Sequence, residues 1–139
     1  MATAETSASH LIEEWAAGWA TRDVERVAAS FTDDCVYDDV AMGVVNHGKD
    51  ELRAFAGGFL AAVPDFDVKL HAHFVCGGWA AAEWEMSGTH TGDLPNMPAS
   101  GRSFTVRGSS VFELAGDRLH RCSDYWDVAT WLRQLGFIS

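Results

Sequence analysis

Residues 103–126, SFTVRGSSVFELAGDRLHRCSDYW, contain the clearest structural pattern in the chain. Their side chains alternate between two faces, and a period of two predicts strands. Ala115-Gly116-Asp117 interrupts the alternation and is typical of a hairpin turn, so the two strands are expected to pair antiparallel. One face carries Phe104, Val106, Gly108, Ser110, Phe112 and Leu114 in the first strand, and the second strand presents His120, Cys122, Asp124 and Trp126 together.

Three stretches further upstream also predict strands. Residues 66–76 and 79–90 alternate in the same way, and residues 35–39 predict a shorter strand followed by an irregular stretch through Gly43 and Gly48. In the first of these stretches one face is expected to carry Phe66, Val68, Leu70, Ala72, Phe74 and Cys76.

The N-terminal half has helical periodicity instead. Leu11, Trp15 and Trp19 recur at every fourth position, with Ile12 and Ala16 beside them. Asp23 is placed to cap a second, short helix, and Pro64 ends a third. The stripes of the second and third helices are Val24, Val27, Ala28 and Phe31, and Leu52, Phe55, Phe59 and Ala62. A short final helix with Trp131, Leu132 and Leu135 is expected, with Asp127 as its N-cap.

Helices followed by long antiparallel strands predict an α+β fold. We expect a strongly curved antiparallel sheet with three N-terminal helices covering its concave face, which together form a cone with a pocket. The chain is expected to be a single domain over residues 1–139, with residues 1–8 as a frayed tail.

Composition narrows the possible partners. The 139 residues carry ten Lys and Arg against twenty Asp and Glu, a formal charge of −10. Nucleic acid and anionic membrane surfaces are therefore not expected as partners, because both require a basic face. No membrane span or signal peptide is expected. Three scattered cysteines match no disulfide framework, which favours the reducing cytoplasm.

Aromatic residues are abundant, with six Trp and eight Phe. Such a composition indicates either an aromatic core or a cavity for an apolar ligand. Trp19, Phe31 and Trp131 are expected to belong to the core alone. Trp15, Trp84 and Trp126 are better pocket candidates, because they share faces with polar residues of interest.

Three segments carry a resemblance to a known superfamily. They are EWAAGWATRDVERVAASFTDDCVYDD, SGTHTGDLPNMPASGRSF and VFELAGDRLHRCSDYWDVATWLRQLGF. Over residues 8–137 the chain resembles the nuclear transport factor 2-like superfamily, which includes SnoaL-type polyketide cyclases, ketosteroid isomerase and limonene epoxide hydrolase. The resemblance implies the α+β cone, an apolar ligand, no cofactor and a homodimer formed through the outer sheet face.

The isomerase site is matched in part. Asp39 lies at the position of the isomerase general base. Trp15 replaces the oxyanion-binding Tyr, and its indole can still donate one hydrogen bond. Ser110 replaces the protonated Asp of the isomerase, at the position where the cyclases place their key Asp.

The other two sites are also matched in part. Asp124 resembles the C-terminal Asp of the epoxide-hydrolase triad, whose Arg and second Asp are replaced by Trp84 and Met86. His90 resembles a His that lines the cyclase site. The chain therefore keeps a part of each family site and the complete set of none.

The residues themselves point to acid–base chemistry. Asp124 is the acidic side chain on a face with Cys122 and Trp126, where an apolar cavity would raise its pKa and make it a useful general acid or base. Asp39 shares a face with Tyr37, so the two could bind one polar group of a ligand. The alternatives are a salt bridge or a backbone hydrogen bond for Asp124, and a solvated strand end for Asp39.

His90, and the pair of His71 and His73, each have a functional and a structural interpretation. His90, at the rim of the predicted cone, could exchange a proton with a ligand or simply be hydrogen-bonded to a neighbouring loop. His71 and His73 lie on one strand face, but a metal site needs three or four convergent ligands, so no metal is expected.

Three hypotheses follow. The first is a cofactor-independent acid–base enzyme (isomerase, cyclase, dehydratase or ring-opening type) acting on an apolar polyketide-, terpenoid- or steroid-like molecule. The second is a non-catalytic small-molecule-binding or scaffold domain, and a third possibility is a structural dimer with a filled cone. For the enzyme, the expected catalytic residues are Asp124, Asp39 and His90, and the expected substrate-binding residues are Tyr37, Trp15, Trp84, Met86, Ser110 and Trp126.

Overall fold

The computed structural model describes the backbone of residues 4–139 and the side chains of residues 7–139. Four helices and six strands follow one another along the chain. The helices are α1 (Ala4–Ala20), α2 (Val24–Ala29), α3 (Gly48–Ala62) and α4 (Val128–Leu135). The strands are β1 (Phe31–Asp39), β2 (Val44–His47), β3 (Asp67–Cys76), β4 (Trp79–Thr89), β5 (Ser103–Ala115) and β6 (Arg118–Trp126).

The strands form one curved, unclosed sheet in the order β2-β1-β6-β5-β4-β3. The hairpin of β5 and β6 and the long pairing of β4 with β5 confirm the predicted antiparallel ladder. One expectation is corrected, because β1 pairs with β6 in parallel. A parallel neighbour requires a long crossover, which the chain supplies between Asp39 and Arg118.

The helices cover one face of this sheet, as predicted for the α+β cone. Helix α1 packs on β3, α3 packs on β1, and α2 lies against both helices. The expected stripe of α1 is buried, with Ile12, Trp15, Ala16 and Trp19 all in the core. Asp127 caps α4 by accepting from the backbone N–H of Thr130 at 3.0 Å, also as predicted.

Three local differences have physical reasons. Strand β1 begins at Phe31, which had been predicted within the second helix, because α2 already ends at Ala29. Strand β2 occupies part of the stretch predicted to be irregular, and its four residues are too few to show a period. Of the predicted frayed tail, residues 1–3 lie outside the described residues, whereas residues 4–8 already belong to α1.

The fourth difference is a β-bulge in β3. The register shifts between Leu70 and Ala72, so that Leu70 pairs with Trp84 but Ala72 pairs with Glu83. A one-residue slip moves every later side chain to the other face. Phe74 is consequently 64% exposed on the outside of the sheet, although it was expected to share a face with Phe66 and Val68.

Among residues 4–139, none of the helices combines the length and the apolar composition that a membrane crossing requires.

Candidate functional site

A pocket opens between the helices and the covered face of the sheet. Its empty volume, including the open mouth, is about 460 Å³. Eight of its twelve lining residues are aromatic, two are apolar and two are carboxylic acids. They are Trp15, Trp19, Tyr37, Phe55, Phe59, Phe66, Trp84 and Trp126, then Val68 and Met86, then Asp39 and Asp124.

The two acids are brought together by the sheet. Asp39 is the last residue of β1, and it is the direct partner of Asp124 in the parallel pairing with β6. Both side chains are almost fully buried, with 6% of Asp39 and 7% of Asp124 exposed. Two carboxyl groups 85 residues apart in sequence therefore lie side by side in the wall of one apolar pocket.

Donors from neighbouring strands hold Asp124. Its Oδ1 accepts a hydrogen bond from the Ser110 hydroxyl at 2.5 Å and one from the Cys122 thiol at 3.2 Å. The Ser110 oxygen in turn accepts from the indole Nε1 of Trp84 at 2.9 Å. The chain Trp84–Ser110–Asp124 crosses β4, β5 and β6, because Ser110 is the register partner of both Ala82 and Asp124.

Asp39 has a different set of donors. Its Oδ1 accepts from the indole Nε1 of Trp126 at 3.0 Å and from the backbone N–H of Met42 at 3.1 Å. The backbone contact comes from the turn between β1 and β2, and the indole comes from the end of β6. Trp126 therefore both lines the pocket and fixes one of its acids.

Burial perturbs the acidity of both carboxyl groups. Desolvation, together with the neighbouring charge of Asp124, raises the pKa of Asp39 to about 6. Desolvation also raises the pKa of Asp124, while the hydroxyl of Ser110, the thiol of Cys122 and the nearby Tyr37 act in the opposite direction by stabilising its anion.

The groups around Asp124 stay protonated. Burial raises the pKa of the Tyr37 hydroxyl and of the Cys122 thiol well above their ordinary values, and the charge of Asp124 acts in the same direction. Both groups therefore remain neutral near pH 7 and can donate hydrogen bonds to Asp124. The charge of Asp124 contributes to the raised pKa of Asp39, which titrates near pH 6.

Two indole donors of the lining lack an acceptor. The Nε1 atoms of Trp15 and Trp19 are buried and have no hydrogen-bond partner within the part of the chain that the structure describes. Both residues lie on the buried face of α1, four positions apart. Because unsatisfied buried donors are rare and costly, these two N–H groups are candidates to bind an acceptor on a ligand.

Seven of the nine predicted site residues line the pocket. They are Asp39, Asp124, Tyr37, Trp15, Trp84, Met86 and Trp126. Ser110 is not part of the lining, but it is fully buried directly behind Asp124 and contacts it.

His90 lies elsewhere. Its side chain is 0% exposed, and its Nδ1 accepts from the backbone N–H of Ser100 at 3.2 Å and contacts the Ser100 hydroxyl at 3.0 Å. The ring stands 6.0 Å from that of Phe137, centroid to centroid. The structure therefore brings His90 to the loop before β5 and the C-terminal segment, not to the pocket lining described above.

Sequence reasoning missed five lining residues. Trp19 was expected to belong to the core alone, but it also lines the pocket. Its position one helical turn after Trp15 was a usable signal. The other four had been treated as helix or strand core, and their sequence offers no comparable signal: Phe55, Phe59, Phe66 and Val68.

The expectation about metals can be compared with the geometry. Within residues 7–139 no three His, Cys, Asp or Glu side chains lie close enough to share an ion. His73 instead contacts the Ser9 hydroxyl of α1 at 2.6 Å through Nε2.

Solved structures with the same fold are numerous. TsrD from Streptomyces laurentii is 24% identical with a TM-score of 0.87, and the match covers 99% of this chain and 100% of TsrD. A protein from Jannaschia sp. CCS1, provisionally named a SnoaL-like polyketide cyclase, is 16% identical with a TM-score of 0.87 and coverages of 100% and 98%. A Catenulispora acidiphila protein with a ketosteroid isomerase-like fold, solved in complex with trimethylamine, is 20% identical with a TM-score of 0.80 and coverages of 92% and 93%.

No curated protein matches the sequence. The family model described as SnoaL-like polyketide cyclase, in contrast, matches residues 9–135, which is nearly the whole chain and includes every residue of the pocket. The chain belongs to the SnoaL-like polyketide cyclase family.

Proposed function

We propose that the protein is an acid–base enzyme that acts, without a cofactor, on an apolar carbonyl-bearing molecule of polyketide, terpenoid or steroid type. The observation that carries this proposal is the pairing of Asp39 with Asp124 in the wall of an aromatic pocket. Acids with perturbed pKa values cluster at functional sites, and a group that titrates near the working pH is suited to proton transfer.

The two acids have different roles in this proposal. Asp124, held by Ser110 and Cys122, remains an anion and maintains the electrostatic environment of its neighbour. Asp39, with a pKa of about 6, exchanges the proton with the substrate. The assignment follows the rule that paired titratable groups in unlike environments divide into distinct roles.

The proposed step is removal of a proton from a carbon next to a carbonyl. The Asp39 carboxylate takes the proton, and the electron pair of the broken C–H bond moves to the carbonyl oxygen, forming an enolate. The Trp15 N–H, which has no acceptor among the described residues, donates to that oxygen. Return of the proton to another carbon gives isomerisation, whereas attack of the enolate on a second carbonyl gives ring closure.

Proton exchange tests this proposal without knowledge of the natural substrate. β-Tetralone, a small apolar ketone, serves as the probe, and deuterium incorporation next to its carbonyl is followed by NMR in heavy water. The protein is expected to accelerate exchange, and Asp39→Asn is expected to reduce the acceleration about 10²-fold or more.

Asp38→Asn is the matched control, because it removes the same charge one position away and Asp38 is not in the lining. It is expected to keep most of the activity. If the wild-type protein binds the ketone but does not accelerate its exchange, the enzymatic proposal is wrong and the non-catalytic binding domain is favoured.

The homodimer implied by the family resemblance also stays a proposal. Its support is a set of exposed apolar side chains on the side of the sheet away from the pocket, namely Phe74, Val111 and Tyr125. Light scattering across a concentration series measures the mass, and a monomer at all concentrations would contradict the dimer.

A further inference from the structure

The charge of the pocket wall is unbalanced. Among its twelve lining residues two are acids, and none is Lys, Arg or His. The ion pairs between described residues all lie elsewhere, for example Arg26 with Glu14 and Arg121 with Glu113, and none includes Asp39 or Asp124. Buried carboxylates without a counter-charge are costly, so a cation that enters the pocket relieves this cost.

The accessible atoms of the two acids suit such a cation. The hydrogen bonds that described residues give to these carboxyl groups all end on Oδ1: two on Asp124 and two on Asp39. The two bonds to Asp39 leave its Oδ2 as an acceptor. The Asp124 carboxyl is also close to the Tyr37 hydroxyl, and no basic side chain of the lining neutralises its charge.

The rest of the wall consists of ring faces and edges. Trp19 packs against Tyr37, Phe59 and Phe66 with ring centroids 5.9–6.3 Å apart, and Tyr37 continues the wall to Phe55 at 5.9 Å. Aromatic faces attract cations, most strongly when the site is desolvated, and aromatic cages are the usual means of binding alkylated ammonium groups. The rings hold one another in place, so little ordering is required when a ligand binds.

The whole chain favours the same ligand charge. With ten basic and twenty acidic residues, the formal charge of −10 raises the concentration of cations near the surface and accelerates their association.

We infer that the ligand of this pocket carries an alkylated ammonium group, held between the Asp124 carboxylate and the aromatic wall. The alkyl groups contact the rings, whereas a primary ammonium would place N–H donors against ring surfaces that offer them no oxygen acceptor. This inference rests on the proposed function and adds a substrate class to it.

The remaining polar groups then have separate tasks. The unpartnered indole N–H groups of Trp15 and Trp19 are left to bind an oxygen of the same ligand. Asp39, next to the bound cation, is left to exchange the proton. The expected ligand is therefore an apolar molecule with both an oxygen acceptor and a substituted amine.

A pair of probes isolates the charge. Choline and neohexyl alcohol have the same shape and the same hydroxyl group, and differ in that a positively charged nitrogen replaces a carbon. Binding to the intact protein is measured by titrating its tryptophan fluorescence and by NMR, near neutral pH and at low salt. We expect the Kd of choline to be lower than that of neohexyl alcohol by about tenfold or more.

Two variants locate the effect. Asp124→Asn keeps an oxygen for Ser110 to bond and is expected to remove most of the choline preference, whereas Asp38→Asn is expected to keep it. Tighter or equal binding of the neutral alcohol, or no measurable binding of choline, would overturn the inference. A preference that survives in Asp124→Asn would overturn the assignment to that carboxylate.

The ammonium inference and the acid–base proposal can fail independently, and the experiments distinguish the two failures. If the ammonium preference is absent while the protein still exchanges protons of β-tetralone, the acid–base proposal stands and its substrate is neutral. If choline is preferred but Asp39→Asn exchanges at the wild-type rate, the pocket selects amines and the proposed acid–base role is wrong.

Discussion

Asp39 and Asp124 are direct partners across the parallel pairing of β1 and β6; Trp126 of β6 donates to the Asp39 carboxyl, and Ser110 of β5 donates to that of Asp124. Neighbouring like charges do not ionise independently, which is why the charge of Asp124 contributes to the raised pKa of Asp39.

Replacing Asp39 with Asn should stabilise the fold at alkaline pH. The pKa of Asp39 is about 6 in the folded chain and 3.8 in its ordinary state, so folding favours the protonated form. The stabilising contribution is full below pH 3.8 and is lost as the pH rises through 6, which corresponds to about 3 kcal/mol. Asn cannot ionise. In urea unfolding, the unfolding free energy of Asp39→Asn minus that of the wild-type protein should therefore be about 1–3 kcal/mol larger at pH 8 than at pH 4. Parallel pH curves for the variant and the wild-type protein would contradict the assigned pKa.

The rate of proton exchange should depend on pH through Asp39. Activity should rise as pH increases through about 6, because the carboxylate form is the base. In Asp124→Asn the neighbouring negative charge is gone, so the pKa of Asp39 should fall and the rising limb should move to lower pH. The pH dependence of kcat/KM for both proteins measures the shift. A limb that stays in place or moves upward would show that Asp39 is not the titrating base.

Gly108→Ala should damage the pocket wall. A Cβ atom at position 108 would lie 2.5 Å from Cη2 of Trp84 and 2.7 Å from Cβ of Trp126. Both indoles must move, and the hydrogen bond from Trp126 to Asp39 moves with them. Overpacking of this kind costs about 1–3 kcal/mol. Thermal unfolding and probe binding should both be impaired, whereas Gly78→Ala, where a Cβ meets open space, should leave both unchanged.

His90→Ala should affect stability without affecting the chemical step. The imidazole Nδ1 accepts from the half-buried backbone N–H of Ser100, and the ring lies near that of Phe137. Loss of the imidazole therefore leaves a cavity and an unsatisfied donor. The expected cost is about 1–3 kcal/mol of unfolding free energy. The exchange rate of the folded fraction should equal that of the wild-type protein. A loss of rate without a loss of stability would restore the catalytic role that the family resemblance implied.

Sequence periodicity was sufficient for most of the architecture. The period of two over residues 103–126 identified the strands and the face that carries Asp124, because a strand that is buried on one side has alternating side chains. The four-residue spacing of Trp15 and Trp19 identified the buried face of α1, because residues four apart lie on the same face of a helix.

The features that were not predicted depend on non-local pairing. The parallel neighbour of β1 could not be read from residues 31–39, because the alternation within one strand does not indicate which strand lies beside it. The bulge in β3 was also invisible, since Leu70 and Ala72 fit an unbroken alternation equally well. Asp39 and Asp124 were each singled out, but their adjacency is a property of the assembled sheet.

The pairing of the first strand with the last has a consequence for biosynthesis. A nascent chain contains Asp39 first, and its partner Asp124 is added only 85 residues later. The site therefore cannot exist on a partly synthesised chain, and a fragment truncated before β6 lacks it. A measurement that depends on both acids therefore counts only molecules in which β1 and β6 have been translated and have paired.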